Sequence, residues 1–128
     1  MPEQIVTTRA ALPTASYSQA MVHGSLVATA GQTGIDPATG VLEEGLEAQV
    51  ARAIQNLEQV LLSAGSGLGH VLKTTCFLTD ITNFQAFDRV YAQYFSEPFP
   101  ARSTVGITLA GPLLFEIEAL AVVAQERT

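Results

Sequence analysis

The chain has no tryptophan, one cysteine and two histidines, and only 14% of its 128 residues are charged. Each scarcity excludes something. A lone thiol, Cys76, cannot close an intrachain disulfide. Its place in the apolar stretch Val71 to Leu78, with nothing nearby in sequence to lower its pKa, reads as a buried structural thiol rather than a reactive one. His23 and His70 are isolated, with no His or Cys at ligand spacing, so no metal site is expected; His23, beside a Gly-Ser turn, belongs at the surface. Six Lys and Arg against twelve Asp and Glu leave a formal net charge of −6. That is the wrong sign for the basic surface that counterion release requires, which argues against nucleic acid as a main partner. No apolar run reaches the roughly 18 residues of a membrane span, and the N-terminus lacks the basic-then-apolar pattern of a secretory signal. A cytoplasmic protein without a membrane partner is the expectation.

What is abundant is apolar surface, 48% of the residues. The length suits one domain over residues 1–128, and the excess over a typical soluble domain is expected to face a partner subunit. Two short β-prone runs flank Gly24-Ser25, predicting an antiparallel hairpin of strands near 18–23 and 26–30. Asp36-Pro37-Ala38-Thr39-Gly40 carries the chemistry of an exposed turn. From Leu46 to Ala64, apolar residues at three- and four-residue steps predict a helix, with Gly65 as its stop. Val71 to Thr79 reads as a central strand. Asp80 or Thr82 can cap a second helix striped by Phe84, Phe87, Val90, Tyr91 and Tyr94, ended by Glu97-Pro98-Phe99-Pro100. Strands at 102–109 and 114–124, joined around Gly111-Pro112, are expected to pair antiparallel. The order predicts an α+β fold, a mixed sheet with both helices on one face and another subunit covering the other.

Alternation puts Arg102 and Thr104 on one face of the penultimate strand and Ser103, Val105 and Ile107 on the other. Glu116 and Glu118 share a face of the last strand. Two glutamates in the apolar run Phe115 to Leu120 are costly to bury unless paired, hydrogen-bonded or facing water. An arginine beside them across the sheet would make a structural ion pair; the alternative is a site.

The segment Pro100-Ala101-Arg102-Ser103-Thr104-Val105, followed by Glu116-Ile117-Glu118-Ala119-Leu120-Ala121-Val122, resembles the C-terminal signature of the Rid/YjgF family, also called endoribonuclease L-PSP. Further matches lie at Tyr17 to Ala20, Ala30 to Gln32, Asp36 to Gly40 and Val71 to Asp80. The resemblance implies a chorismate-mutase-like fold assembled as a homotrimer around a central barrel, with active sites in the clefts between subunits. It also implies cofactor-free hydrolysis of 2-iminoacids and their enamine tautomers, such as 2-aminoacrylate, to a 2-ketoacid and ammonia. Position by position, Arg102 matches the arginine that holds the substrate carboxylate, for which a planar fork of N–H groups is suited. Glu116 matches the glutamate that positions the attacking water, a base that needs no metal. Tyr17 matches a tyrosine from the neighbouring subunit, Gly31 lies in the segment lining the cleft, and a backbone amide of Ser103 or Thr104 is placed to bind a carboxylate oxygen. Phe84 and Phe87 resemble cleft-lining positions, although their helical spacing also fits core packing. Tyr17 also fits an ordinary interface aromatic, and Gly31 a strand end or bulge.

Departures bear on the substrate. Ala15-Ser16 replaces the usual Gly-Pro, Ala30 the cleft serine, and Thr33-Gly34 an aliphatic-proline pair. Thr104 stands where many deaminases have cysteine. Asp88 stands where asparagine is common, an acidic residue able to repel a carboxylate. Three other functions compete: a non-catalytic trimer binding small carboxylates, a ribonuclease, disfavoured by the acidic balance, and a pathway-dedicated enamine deaminase of the aminomuconate type.

Overall fold

A computed structural model describes residues 1–124. Six strands form one mixed sheet in the order β1-β2-β3-β6-β4-β5, and two helices cover one side. The Gly24-Ser25 turn joins β2 (Ala20–His23) to β3 (Leu26–Thr29) as the predicted hairpin, with Gly24 at φ 59°. β1 (Glu3–Ile5), which sequence reasoning missed, adds three residues to its outer edge, too few to show a period.

Helix α1 (Leu46–Ser63) buries Val50, Ala53, Ile54, Leu57, Val60 and Leu61, the predicted stripe. Each of these side chains other than Ala53 contributes about 1.5–3 kcal/mol. Gly65, at φ 77°, terminates it: its N–H donates to the Leu62 carbonyl and that of Ser66 to the Leu61 carbonyl, which satisfies the last turn's carbonyls. The Asp80 carboxylate accepts from the Thr82 N–H and hydroxyl, capping a short 3-10 turn, Ile81–Asn83, that leads into α2 (Phe84–Tyr94).

The expected pairing of the last two strands is wrong. β4 (Val71–Leu78) lies between β5 (Ala101–Gly106) and β6 (Phe115–Val122), parallel to the first and antiparallel to the second. The physical reason is length: residues 107–114 form a connection long enough to pass over β4, and β4, apolar on its helix-facing side and flanked by good partners, gains two ladders by lying inside. β5 thereby becomes a sheet edge.

Odd-numbered residues of β6 (Phe115, Ile117, Ala119, Ala121) and even-numbered residues of β4 (Thr74, Cys76, Leu78) are buried, β4 packing with the helices through Thr74 Oγ1, 2.8 Å from the Tyr91 hydroxyl. Burial pushes the Cys76 thiol up to about 12, overriding its contact with Thr74 and the nearby Arg102 charge, so the thiol is unreactive near neutrality. The other sheet face is uncovered in the single chain and exposes Met21, Leu26, Val105 and Leu120.

Buried amides hold the loops. Gln19 accepts from the Thr7 N–H at 2.7 Å and donates to the Thr7 and Ala11 carbonyls. Asn56 donates to the carbonyls of Thr33 and Ile35, and Gln49 donates to the Glu43 carbonyl and accepts from the Leu114 N–H. Gly34 lies so close to α1 that an added Cβ would sit 2.6 Å from the Gln49 Cα. Gly34→Ala is therefore expected to destabilise the fold by about 1–3 kcal/mol, since backbone rather than a pliant side chain must give way. Chemical denaturation measures it; an unchanged midpoint would contradict this packing.

Candidate functional site

The residues singled out from sequence fall into two groups on the chain. Tyr17, Ala30, Gly31 and Glu116 line one cavity of about 400 Å³, together with Leu12, Thr33, Asn56 and Leu113. Arg102 and Asp88 line another, of about 370 Å³, with Tyr91, Phe99 and Pro100.

The first group is built by the segments that the buried amides anchor. Gln19 ties down residues 7–11 ahead of Tyr17, and Asn56 fixes the Thr33 to Ile35 turn. Between them, Gln32 exchanges two backbone hydrogen bonds with Ile117, 2.7 and 3.0 Å, which lays Gly31 against Glu116. A Cβ on Gly31 would overlap the Glu116 carboxylate, within 2.6 Å of its Cδ. Gly31 is not at positive φ, so the backbone does not demand glycine there; the carboxylate's approach does. Glu116 is half-buried, and desolvation first, then the like charge of Glu118 two residues along the same face, raises its pKa. A carboxylate so placed holds a proton more readily than a solvated one, as a general base requires. Gly31→Ala should cost little stability, because what must move is one side chain, Glu116 from its Cγ outward, and not backbone, yet cost most of any activity that uses Glu116. A melting curve beside a rate assay decides; a fully active variant would show that the close approach is dispensable.

In the second group the guanidinium of Arg102 lies over three α2 rings, its Cζ 5.4 Å from the centroid of Phe84, 5.1 Å from Phe87 and 4.6 Å from Tyr91. Its NH1 donates to the Asp88 carboxylate at 2.8 Å. Phe84 and Phe87 thus support the arginine from beneath rather than line the cavity, and Phe87 is wholly buried against Phe115. The tyrosine hydroxyl beneath is held with its proton: burial, the largest cause, raises the Tyr91 pKa. Thr104 follows Arg102 on the same face, opposite Cys76, whereas exposed Ser103 points to the open face. Because β5 is an edge, alternate backbone N–H groups along it are left unpaired by the ladder.

An arginine beside the glutamates is therefore not what the fold makes. Arg102 pairs in register with Thr74, whose other neighbour is Ala119, while Glu116 lies opposite Phe77. Two strand spacings across and three residues along separate the two Cα atoms by roughly 14 Å. Alternation also sends the side chains to opposite faces, and the arginine's acidic partner is Asp88. Tyr17 shares the cavity of Glu116 within one chain, away from that chain's Arg102. Asn56, Gln19 and Asp88's pairing were not legible as site features; a buried amide in an apolar helix stripe was the available signal for Asn56. Among the described residues, no group of three or more His, Cys, Asp or Glu converges to hold a metal ion.

A mixed six-stranded sheet backed by two helices, with a half-buried carboxylate in one surface cavity and a ring-supported arginine in another, defines an α+β fold with two candidate sites. The model of the family described as Endoribonuclease L-PSP matches residues 7–123, and the chain belongs to that family, Rid/YjgF. It is 36% identical over 126 residues to the 2-iminobutanoate/2-iminopropanoate deaminase of Salmonella typhimurium, covering 95% of this chain and 98% of that protein. Other relatives of similar identity carry the general name RutC family protein. Among solved structures, RidA from an Antarctic Psychrobacter superposes with a TM-score of 0.92 at 34% identity, over 94% of this chain and 99% of that one. Escherichia coli TdcF with bound serine superposes with a TM-score of 0.89 at 34% identity, over 94% and 98%.

Proposed function

We propose that the protein is a hydrolytic deaminase of reactive enamines and imines, converting 2-iminoacids and 2-aminoacrylate to 2-ketoacids and ammonia in sites completed between copies of the chain. The observation that carries this reading is the Glu116 carboxylate held against Gly31 with a raised proton affinity. It is supported by the deaminase relative and, for carboxylate binding, by the serine held in TdcF.

The separation of the two groups argues for more than one copy. A small substrate cannot reach Arg102 and Glu116 of one chain, about 14 Å apart on opposite sheet faces. It can touch both if the Arg102 cavity of one copy faces the Glu116 cavity of the next. The open sheet face with exposed Met21, Leu26, Val105 and Leu120 is a surface such an assembly, a homotrimer in our reading, would cover.

Arg102 then holds the carboxylate through charge-assisted hydrogen bonds. An enamine first takes a proton from solvent at its β-carbon to become the iminium. Water adds to the iminium carbon, giving up a proton to Glu116 and leaving a carbinolamine. Glu116 returns that proton to the nitrogen, the C–N bond breaks and ammonia leaves, and the hydroxyl proton passes to the Glu116 carboxylate, and from it to solvent, to give the ketone. Tyr17 lines the same cavity as Glu116. The parallel ladder that takes the Ile107 N–H to the Leu78 carbonyl also engages the Ser103 N–H, so the β5 edge amide left for the second carboxylate oxygen is that of Thr104. The acidic charge balance speaks against RNA as the substrate.

The test generates 2-iminoacids in situ with an amino-acid oxidase and traps them with semicarbazide. Suppression of the semicarbazone signal by the protein is the expected result. No suppression across small and large side chains would favour a carboxylate-binding protein without turnover, a reading that the Asp88 hold on Arg102 keeps in contention.

A further inference from the structure

We propose that Asp88 makes the Arg102 cavity a receptor for zwitterions: it selects ligands carrying a protonated nitrogen next to a carboxylate over plain carboxylates. The inference rests on the carboxylate-clamp reading of Arg102 and names the substrate form that the clamp takes.

The guanidinium offers five N–H groups in a plane. One face is taken by the α2 rings, with Tyr91 nearest at 4.6 Å, so its edges are what it can present. Among the described residues, Asp88 is the one acceptor on it, at NH1, which leaves donors along the other edge for a carboxylate. Asp88 in turn is 48% exposed and spends one of its roughly four acceptor positions on the arginine. Both side chains line the same cavity of about 370 Å³. The cavity therefore presents a cation with unused donors and an anion with unused acceptors, one hydrogen bond apart.

Their charges cancel, which changes what binds. A monoanionic carboxylate meets no net positive field and must share Arg102 with an anion that repels it. A molecule with its carboxylate and a protonated nitrogen on adjacent carbons sets its own dipole against the Arg102-Asp88 dipole. The carboxylate then meets the guanidinium edge and the N–H meets Asp88. The protonated 2-iminium acid, the electrophilic form that water attacks, has that shape. The 2-ketoacid product has lost the nitrogen, so Asp88 no longer holds it. An asparagine at this position would leave Arg102 its full charge and favour carboxylates without regard to the nitrogen.

Isothermal titration with L-serine and with 3-hydroxypropanoate, the same molecule without its amino group, tests this on the full-length protein and three variants. One charge-assisted hydrogen bond corresponds to about tenfold or more in affinity, so the unmodified protein should prefer serine by at least that ratio. Asp88→Asn should bring the ratio to within about twofold and bind 3-hydroxypropanoate more tightly than the unmodified protein does. Asp88→Glu should keep the preference. A ratio unchanged in Asp88→Asn, or both ligands weakened equally, overturns the proposal and makes Asp88 a support for the arginine alone. Arg102→Ala separates the two levels: loss of both ligands upholds the clamp, whereas undiminished binding overturns the clamp whatever Asp88 does. An unmodified protein that binds neither overturns both.

Discussion

Arg102→Ala is expected to lower kcat/KM for 2-iminoacid hydrolysis by two to three orders of magnitude without disturbing the proposed homotrimer. Charge-assisted hydrogen bonds contribute about 1.5–3 kcal/mol each, and a bidentate carboxylate contact supplies two that are not independent. Stability should fall little. The ion pair to Asp88 is partly exposed, at 21% and 48%, and such pairs contribute about 0–1 kcal/mol; the lost ring contacts cost about another 0.5–1 kcal/mol. Arg102→Lys should not restore the rate, because an ammonium cannot reproduce the planar fork held over Phe84, Phe87 and Tyr91. Steady-state kinetics with semicarbazide trapping, alongside size-exclusion chromatography, measures both. An unchanged kcat/KM would remove Arg102 from substrate binding.

Glu116→Gln should lower kcat by about 10² or more, the usual contribution of a positioned base, with KM changed only a few-fold. The amide fills the same space against Gly31 but cannot take the proton. The raised pKa of Glu116 adds a pH signature. The base works as the carboxylate, so activity falls as pH drops through a pKa above that of a solvated glutamate. The stability effect has the opposite sense to that of a salt-bridged acid. A carboxyl whose folded pKa is raised destabilises the fold where it is ionised, and that penalty disappears as pH falls through the raised value. Glu116→Gln should therefore melt higher than the unmodified protein at neutral pH, with the gap closing under acid. Thermal melts across that range decide; a variant less stable at every pH would mean that the carboxylate is held by favourable contacts rather than strained by burial.

Periodicity made most of the fold legible. The β2-β3 hairpin was readable from Gly24-Ser25, α1 from its stripe and Gly65, and α2 from its aromatics, because these are local preferences repeated along the chain. The partner of β5 was not readable. Strand pairing depends on where an eight-residue connection chooses to cross, and both routes fit the same alternation. Alternation itself held: Arg102 and Thr104 share a face, and Ser103 and Val105 the other. What it could not supply was the relation of that face to the face bearing Glu116.

By itself, the sequence determined the residue types and their facing along each element: an arginine and a glutamate on β-strands, a glycine before Gln32, an acid among the aromatics of α2. These are properties of neighbours in the chain, and a period of two or 3.6 carries them. Only the tertiary structure decided which of them meet. Inserting β4 between β5 and β6 put Arg102 and Glu116 on opposite sides of the sheet, brought Arg102 onto α2 and Asp88, and left Glu116 with Gly31 and Tyr17. A sheet face flips with one residue of register and strand order with one crossing, and both are settled by long-range packing that no local stretch of sequence encodes.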